Sequence, residues 1–283
     1  MPLRHDYLGN PVTVGGDAEL AALDDFIRAF LAYEARAAEV VAAADAHPGN
    51  ALLNAYAGIL WMLLEAAEAP GRAQTYLDRA ERAAPDAAAR EVAMVELLRA
   101  WIADDVPKAL RICDAVLAQH PRDLLAAAFA NYHRFNRGDF AGMLRTMGRV
   151  RADDVAEAHS MAAFAYEQCH LLDEAEAAAR RALELRAGDP WAQHAFAHVM
   201  LTQGRIDEGA VFLEGRRDGW TGLNSSCSPI SGGIWRCSTS ARAAKPRRWP
   251  PMTTMSGAWP RTIPKTRSAR CPCWPGWSWP GST

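Results

Sequence analysis

No stretch of this chain is apolar over the ~20 residues that a membrane-crossing helix requires. The longest largely apolar run, ALLNAYAGILWMLL, stops short of that length. The opening MPLRHDYLGNPVTVGG lacks the apolar centre of a secretory signal, so a cytoplasmic address is the expectation. Nor is there an excess of positive charge. The 31 Lys and Arg stand against 33 Asp and Glu, for a net −2, and the two signs are interleaved up to Asp218. Without a concentrated basic surface, neither nucleic acid nor an anionic membrane is expected as a partner. The phosphate-cradling G-x-x-x-x-G-K-[ST], the dinucleotide G-x-G-x-x-G, H-E-x-x-H and G-x-S-x-G are all missing as well. No cofactor is implied, and no complete catalytic constellation, so a non-catalytic protein is expected.

Cysteine is scarce before the last quarter of the chain. Cys113 and Cys169 sit in helix-periodic segments without a partner at framework spacing, and both read as small buried apolar residues in a reducing compartment. Asp104-Asp105 and Asp153-Asp154 read as helix starts, where negative charge favours the helix dipole.

What the chain has in abundance is amphipathic helix. From Asp17 to Trp220, segments such as AELAALDDFIRAFLAYE, VPKALRICDAVLAQH and DEAEAAARRALELR place apolar residues at i, i+3, i+4 and i+7. They are separated by short Pro, Gly or Asp punctuation, and none alternates with the period of a strand. The chain therefore reads as all-α, with residues 1–16 an N-terminal loop. The helices come in pairs, and the second of each pair carries a small residue at a recurring offset: Ala73, Ala109, Ala141, Ala175 and Gly209, separated by 36, 32, 34 and 34 residues. Leu77, Cys113, Arg145, Ala179 and Leu213 follow four residues on, and Ala80, Val116, Gly148 and Ala182 seven residues on. Trp61, Leu97, Phe129, Ala163 and Ala197 take the packing position of the first helices.

A period near ~34 residues built from two antiparallel helices resembles the tetratricopeptide repeat. The segments NRGDFAGML and TQGRIDEGAVFL look like its turn and second-helix opening, although the aromatic and Gly positions of its first helix are mostly replaced. The expected architecture over residues 17–220 is a right-handed α-α superhelix, a solenoid of helix hairpins whose first helices line a concave groove. DPWAQHAFAHVMLTQGRIDEGAVFL, with the early YLGNPVTV and the middle AVLAQHPRDLLAAAFA, is similar to the tetratricopeptide repeat protein 38 family. That resemblance covers roughly Asp6 to Trp220 and implies a helix in which two His bracket small or apolar residues after Asp-x-Trp: here Asp189, Trp191, His194 and His198.

His194 and His198 are one turn apart on one helix face, the spacing of paired metal ligands. A metal needs a third ligand, which a His in the helix lost beyond Ser225 could have supplied, and the blander reading is that both imidazoles pack in the groove and hydrogen-bond neighbouring helices. The expectation is a scaffold that binds a peptide or protein in its concave groove, with Trp191, His194 and His198 as groove residues. The alternative is an enzyme or metal-binding protein that uses the His pair.

The final segment departs from everything before it. From Gly219 to Thr283 there is no Asp or Glu, while seven of the 10 Trp and four of the 6 Cys fall there. Cys227, Cys237, Cys271 and Cys273 lack the paired spacing of a structural zinc site. A shift of one base resolves the anomaly. Ser228 to Thr239 can then encode THLWWHLALFH, Ile234-Trp235 can only give Leu or Met, and Met252-Thr253 must give Asp. Residues 221–283 therefore read as a disordered, frameshift-derived tail that truncates the array and leaves its last unit uncapped. The competing reading is a genuine Trp-, Pro- and Arg-rich binding tail.

Overall fold

The computed structural model describes residues 3–223. Helix dominates, as the periodicity requires. A short antiparallel hairpin, β1 (Leu3–His5) and β2 (Pro11–Thr13), is followed by α1 (Asp17–Leu31) and α2 (Glu39–Ala46). Five helix hairpins then follow in order. They are α3 (Ala51–Met62) with α4 (Ala69–Ala83), α5 (Ala89–Ile102) with α6 (Val106–Gln119), and α7 (Leu124–Asn136) with α8 (Phe140–Met147). The last two are α9 (Ala156–Gln168) with α10 (Leu172–Leu185), and α11 (Pro190–Thr202) with α12 (Ile206–Glu214). Each helix packs on the next, and α3 on α5, α7 on α9 and α9 on α11, the contact pattern of a solenoid of hairpins.

Burial separates the two helices of each pair. In α3 every residue from Ala51 to Ile59 is buried, whereas α10 buries only Ala175, Ala179 and Ala182. A helix that is apolar all round is enclosed on all sides, and one with a single apolar stripe lies at the surface. The first helices are thus the inner layer and the second helices the outer one.

The backbone repeats as well as the sequence. The turn inside each pair places one residue in the left-handed region: Glu65, Asp104, Gly138, His170 and Gly204, with φ of 52°, 56°, 71°, 60° and 76°. This is the C-terminal stop that glycine takes most readily, because a Cβ there crowds the backbone. Gly138 and Gly204 fit it, and the exposed His170 does not. His170→Gly should therefore stabilise the chain by about 0.5–1 kcal/mol, read as a rise in the urea midpoint at constant slope. Five of the helix starts are also built alike. Asn50, Asp105, Asp123, Asp139 and Asp189 each accept a hydrogen bond from the backbone N–H three residues on.

The structure corrects the repeat register in α8. Ala141 and Arg145 face solvent, while Gly142 and Thr146 are buried against the neighbouring helices. The small positions are Ala73, Ala109, Gly142, Ala175 and Gly209, and Leu77, Cys113, Thr146, Ala179 and Leu213 follow four residues on, all buried. Thr146 is tolerated in that interface because its hydroxyl accepts from the buried Arg134 guanidinium and donates to the Gly142 carbonyl at 3.2 Å. Gly148, offered as the position seven residues on, is exposed.

Other expectations change in detail. Cys113 is buried, but Cys169, at the C-terminal cap of α9, is half-buried. Trp61 is likewise only half-buried at its packing position. Asp154 does not start a helix: it pairs with Arg122 at 2.7 Å, ahead of α9. Trp220 and Leu223 cover Ala197 and Leu213, so the last hairpin has a small cap where an uncapped face was expected. The rest of the segment read from the sequence as a frameshift-derived tail, with its four cysteines, lies outside the described residues.

The largest difference is at the N-terminus. Residues 3–16 of the segment expected as a loop contribute the hairpin and three fully buried aliphatic side chains, Leu8, Val12 and Val14. With α1 they occupy the inner side of the stack. Phe26 and Phe30 on α1, and Tyr33 two residues past its end, meet Tyr56 of α3, Phe129 of α7 and Trp191 of α11, with ring centroids 5.0, 5.6 and 4.9 Å apart. The two ends of the array meet as well: the Ala35 N–H donates to the Gly222 carbonyl at 3.0 Å, beside a bridge between Glu34 and Leu223. The hairpins thus close around the chain's own first helix.

Candidate functional site

The three residues singled out from the sequence lie on α11, whose start is held by Asp189. Its carboxylate is buried, accepts from the Ala192 N–H at 2.7 Å and pairs with Arg186 at 2.9 Å, and Pro190 stands in the first turn. These contacts fix the helix rotation, which brings Trp191, His194 and His198 onto one side.

The three rings form a continuous stack. Trp191 is half-buried between Tyr33 and the His194 imidazole, with centroids 4.9 and 4.7 Å away and near-parallel planes. His198 follows at 4.6 Å, tilted by 47°. Phe164 of α9 meets Trp191 edge-on at 5.0 Å, and Phe135 of α7 stands 5.2 Å from Phe164. Offset and edge-on ring pairs of this kind are each favourable by about 0.5–1.5 kcal/mol beyond their buried area.

The two imidazoles differ in environment although they are one turn apart. His194 is 5 % exposed, and its Nδ1 has no hydrogen-bond partner. Burial, reinforced by the neighbouring His198, holds it well below the usual histidine range, so it is neutral at neutral pH. His198 is about a third exposed, with Nδ1 3.6 Å from the Glu167 Oε1 of α9, a carboxylate that is itself only 11 % exposed. The chemistry available is therefore a flat aromatic surface ending in an imidazole and a shielded carboxylate. Among the described residues no group of three His, Cys, Asp or Glu converges as metal ligands. Beside the start of α11 a cleft of about 350 Å³ opens between Glu34, Arg36, Arg186, Pro190 and Leu223. Its guanidinium groups are already matched, Arg36 with Glu34 and Asp25, and Arg186 with Glu157 and Asp189.

Tyr33, Phe164 and Glu167 were not legible as site residues. The i, i+4, i+7 spacing of Phe26, Phe30 and Tyr33 was the available signal that α1 presents an aromatic edge to something. No protein-family model matches the chain. Among the described residues no helix is long and apolar enough to cross a membrane.

Proposed function

We propose that this chain is a non-catalytic tetratricopeptide-like scaffold, related to the tetratricopeptide repeat protein 38 family, that binds a peptide or protein partner. The observation that carries this reading is that the inner face of the hairpins already holds polypeptide. Arg122 Nε donates to the Leu8 carbonyl at 2.8 Å, and Glu91 accepts from the Thr13 N–H at 2.9 Å. Side chains of the array that reach the backbone of an extended segment are what peptide recognition in a groove requires. The N-terminal segment fills the middle of that face, so the partner would engage the end around Trp191, His194 and His198, where an aromatic surface suits an apolar or aromatic side chain and Glu167 a basic one. A cytoplasmic setting, and a truncated C-terminus that adds nothing to binding, complete the proposal.

Selection from a displayed random-peptide library tests it. The wild-type chain should enrich a shared motif, and His198→Ala or Trp191→Ala should weaken the selected peptides about 10-fold while far-UV circular dichroism is retained. Removal of residues 224–283 should leave that affinity unchanged. No enriched motif, or a stoichiometric bound metal lost together with an activity in His194→Ala, would transfer the site to the enzyme reading.

A further inference from the structure

The best-defined polypeptide contact in the molecule is made by its own first residues, far from the His pair. Asp6 sits at the turn of the hairpin, where Oδ1 accepts from the Leu8 N–H at 3.0 Å and the Asn10 N–H at 2.8 Å. Its Oδ2 lies 3.3 Å from Arg90 Nη2, and Arg90 Nε donates to Asp123 at 2.6 Å. The side chains of Asp6, Arg90 and Asp123 are at most 1 % exposed. Arg90 also donates to the Pro11 carbonyl at 3.3 Å, and Arg122 and Glu91 take backbone groups on either side of it. The covalent link to α1 runs through the exposed Gly15 and Gly16, and a Cβ at Gly16 would meet nothing within 4 Å; the contacts with α1 itself are polar and few, the Tyr7 N–H donating to Asp24 at 2.6 Å, the Arg28 guanidinium lying 3.6 Å from the Tyr7 ring centroid, Arg4 pairing with Asp17 and the Gly15 N–H donating to Glu19 at 2.8 Å.

We propose that the inner face of α3, α5 and α7 is a binding site for an extended turn-forming strand with a carboxylate at its turn and aliphatic side chains after it. Residues 3–14 occupy it in cis as a separable ligand. A partner strand of the same chemistry takes the site in trans by displacing the hairpin. The recognition is specific in charge and in backbone. A strand lacking the acid leaves Arg90 balanced by Asp123 alone and loses the turn that Asp6 organises, and a strand without aliphatic residues leaves the core places of Leu8, Val12 and Val14 unfilled. The inference shares with the proposed function the view that the inner face holds polypeptide, but it uses none of the residues around Trp191.

The full chain tests it without relying on a deletion that folds. A protease site placed at Gly15-Gly16 is cut after folding, and a fluorescent peptide of residues 1–15 is added. The labelled peptide should replace the original one to one, with the helical signal and elution volume of the body retained. A labelled peptide carrying Asp6→Ala should bind about 10-fold or more weakly, and a scrambled peptide should not compete. Trp191→Ala in the body should leave this exchange unchanged, which separates failure of the groove-end reading from failure of this one. Exchange only at denaturant concentrations that abolish the helical signal would show the hairpin to be an inseparable part of the core. Equal binding of the Asp6→Ala peptide would remove the charge key, and either result overturns the proposal.

Discussion

Arg90→Met is expected to destabilise the folded chain by about 3–5 kcal/mol, enough to unfold much of a marginally stable domain. The reason lies in what stays behind. Among the described residues Arg90 is the one cation within ion-pair distance of both Asp6 and Asp123, and all three side chains are withdrawn from water. It also donates to the Tyr56 hydroxyl at 3.4 Å, so its loss strands two carboxylates in apolar surroundings. Even with Arg90 in place, burial outweighs its attraction and raises the Asp6 carboxyl above the ordinary Asp range. Combining Arg90→Met with Asp6→Asn and Asp123→Asn should recover most of the loss, because an asparagine Oδ1 still accepts from the Leu8, Asn10 and Ala126 N–H groups. Urea unfolding followed by circular dichroism reads all the variants. A single Arg90→Met change that costs under about 1 kcal/mol would mean that the three groups are not dry.

Acid should be the second strong perturbation. His133 of α7 is buried against Trp101, its ring centroid 4.2 Å from that of the indole, and its Nε2 has no partner. Burial first, then the nearby Arg137, bring its pKa down to about 4, and His194 is lowered by burial in the same way. Both groups bind fewer protons folded than unfolded, so their contribution to stability is present above the ordinary histidine pKa and is lost as pH falls from about 6.5 towards about 4. For His133 alone the effect is about 3 kcal/mol. Asp6 and Glu157, both raised chiefly by burial, have the opposite sign: their contribution is complete below the ordinary carboxylate pKa and is lost as pH rises through the raised value. The stability curve should therefore fall steeply from pH 6.5 and flatten near the carboxylate range. His133→Phe should remove a large part of the slope between pH 7 and 5. An unchanged slope in that variant would show that His133 protonates in place.

The helices and their pairing were legible because each hairpin is a local object: a 3.6-residue apolar period, a turn and, in all but the α9–α10 pair, an Asp or Asn start lie within one short window of sequence. The register slip in α8 came from Ala141 and Gly142 standing side by side, both small enough for the close crossing. Only the burial of Met143 and Thr146 decides between them. The His194 and His198 spacing was legible too, but not that one ring is sealed and the other faces Glu167, since that depends on α9. The N-terminal hairpin was not legible at all. Its three pairs of residues carry no period worth reading, and the attraction of Asp6 to Arg90 is a long-range fact with no local trace.

The position of that hairpin sets the order in which the molecule can be made. Residues 3–33 leave the ribosome before the surfaces that receive them, which belong to α3, α5, α7 and, for Tyr33, α11, near the other end of the described chain. At ~5–20 residues per second, Leu8, Val12, Phe26 and Ile27 wait on the order of ten seconds or more with their apolar faces in water. Translation speed and chaperone supply should thus govern the yield of native protein more strongly than for an array whose first unit packs only on its second, and the slow step of refolding should be the arrival of α1 in a ring of hairpins already formed.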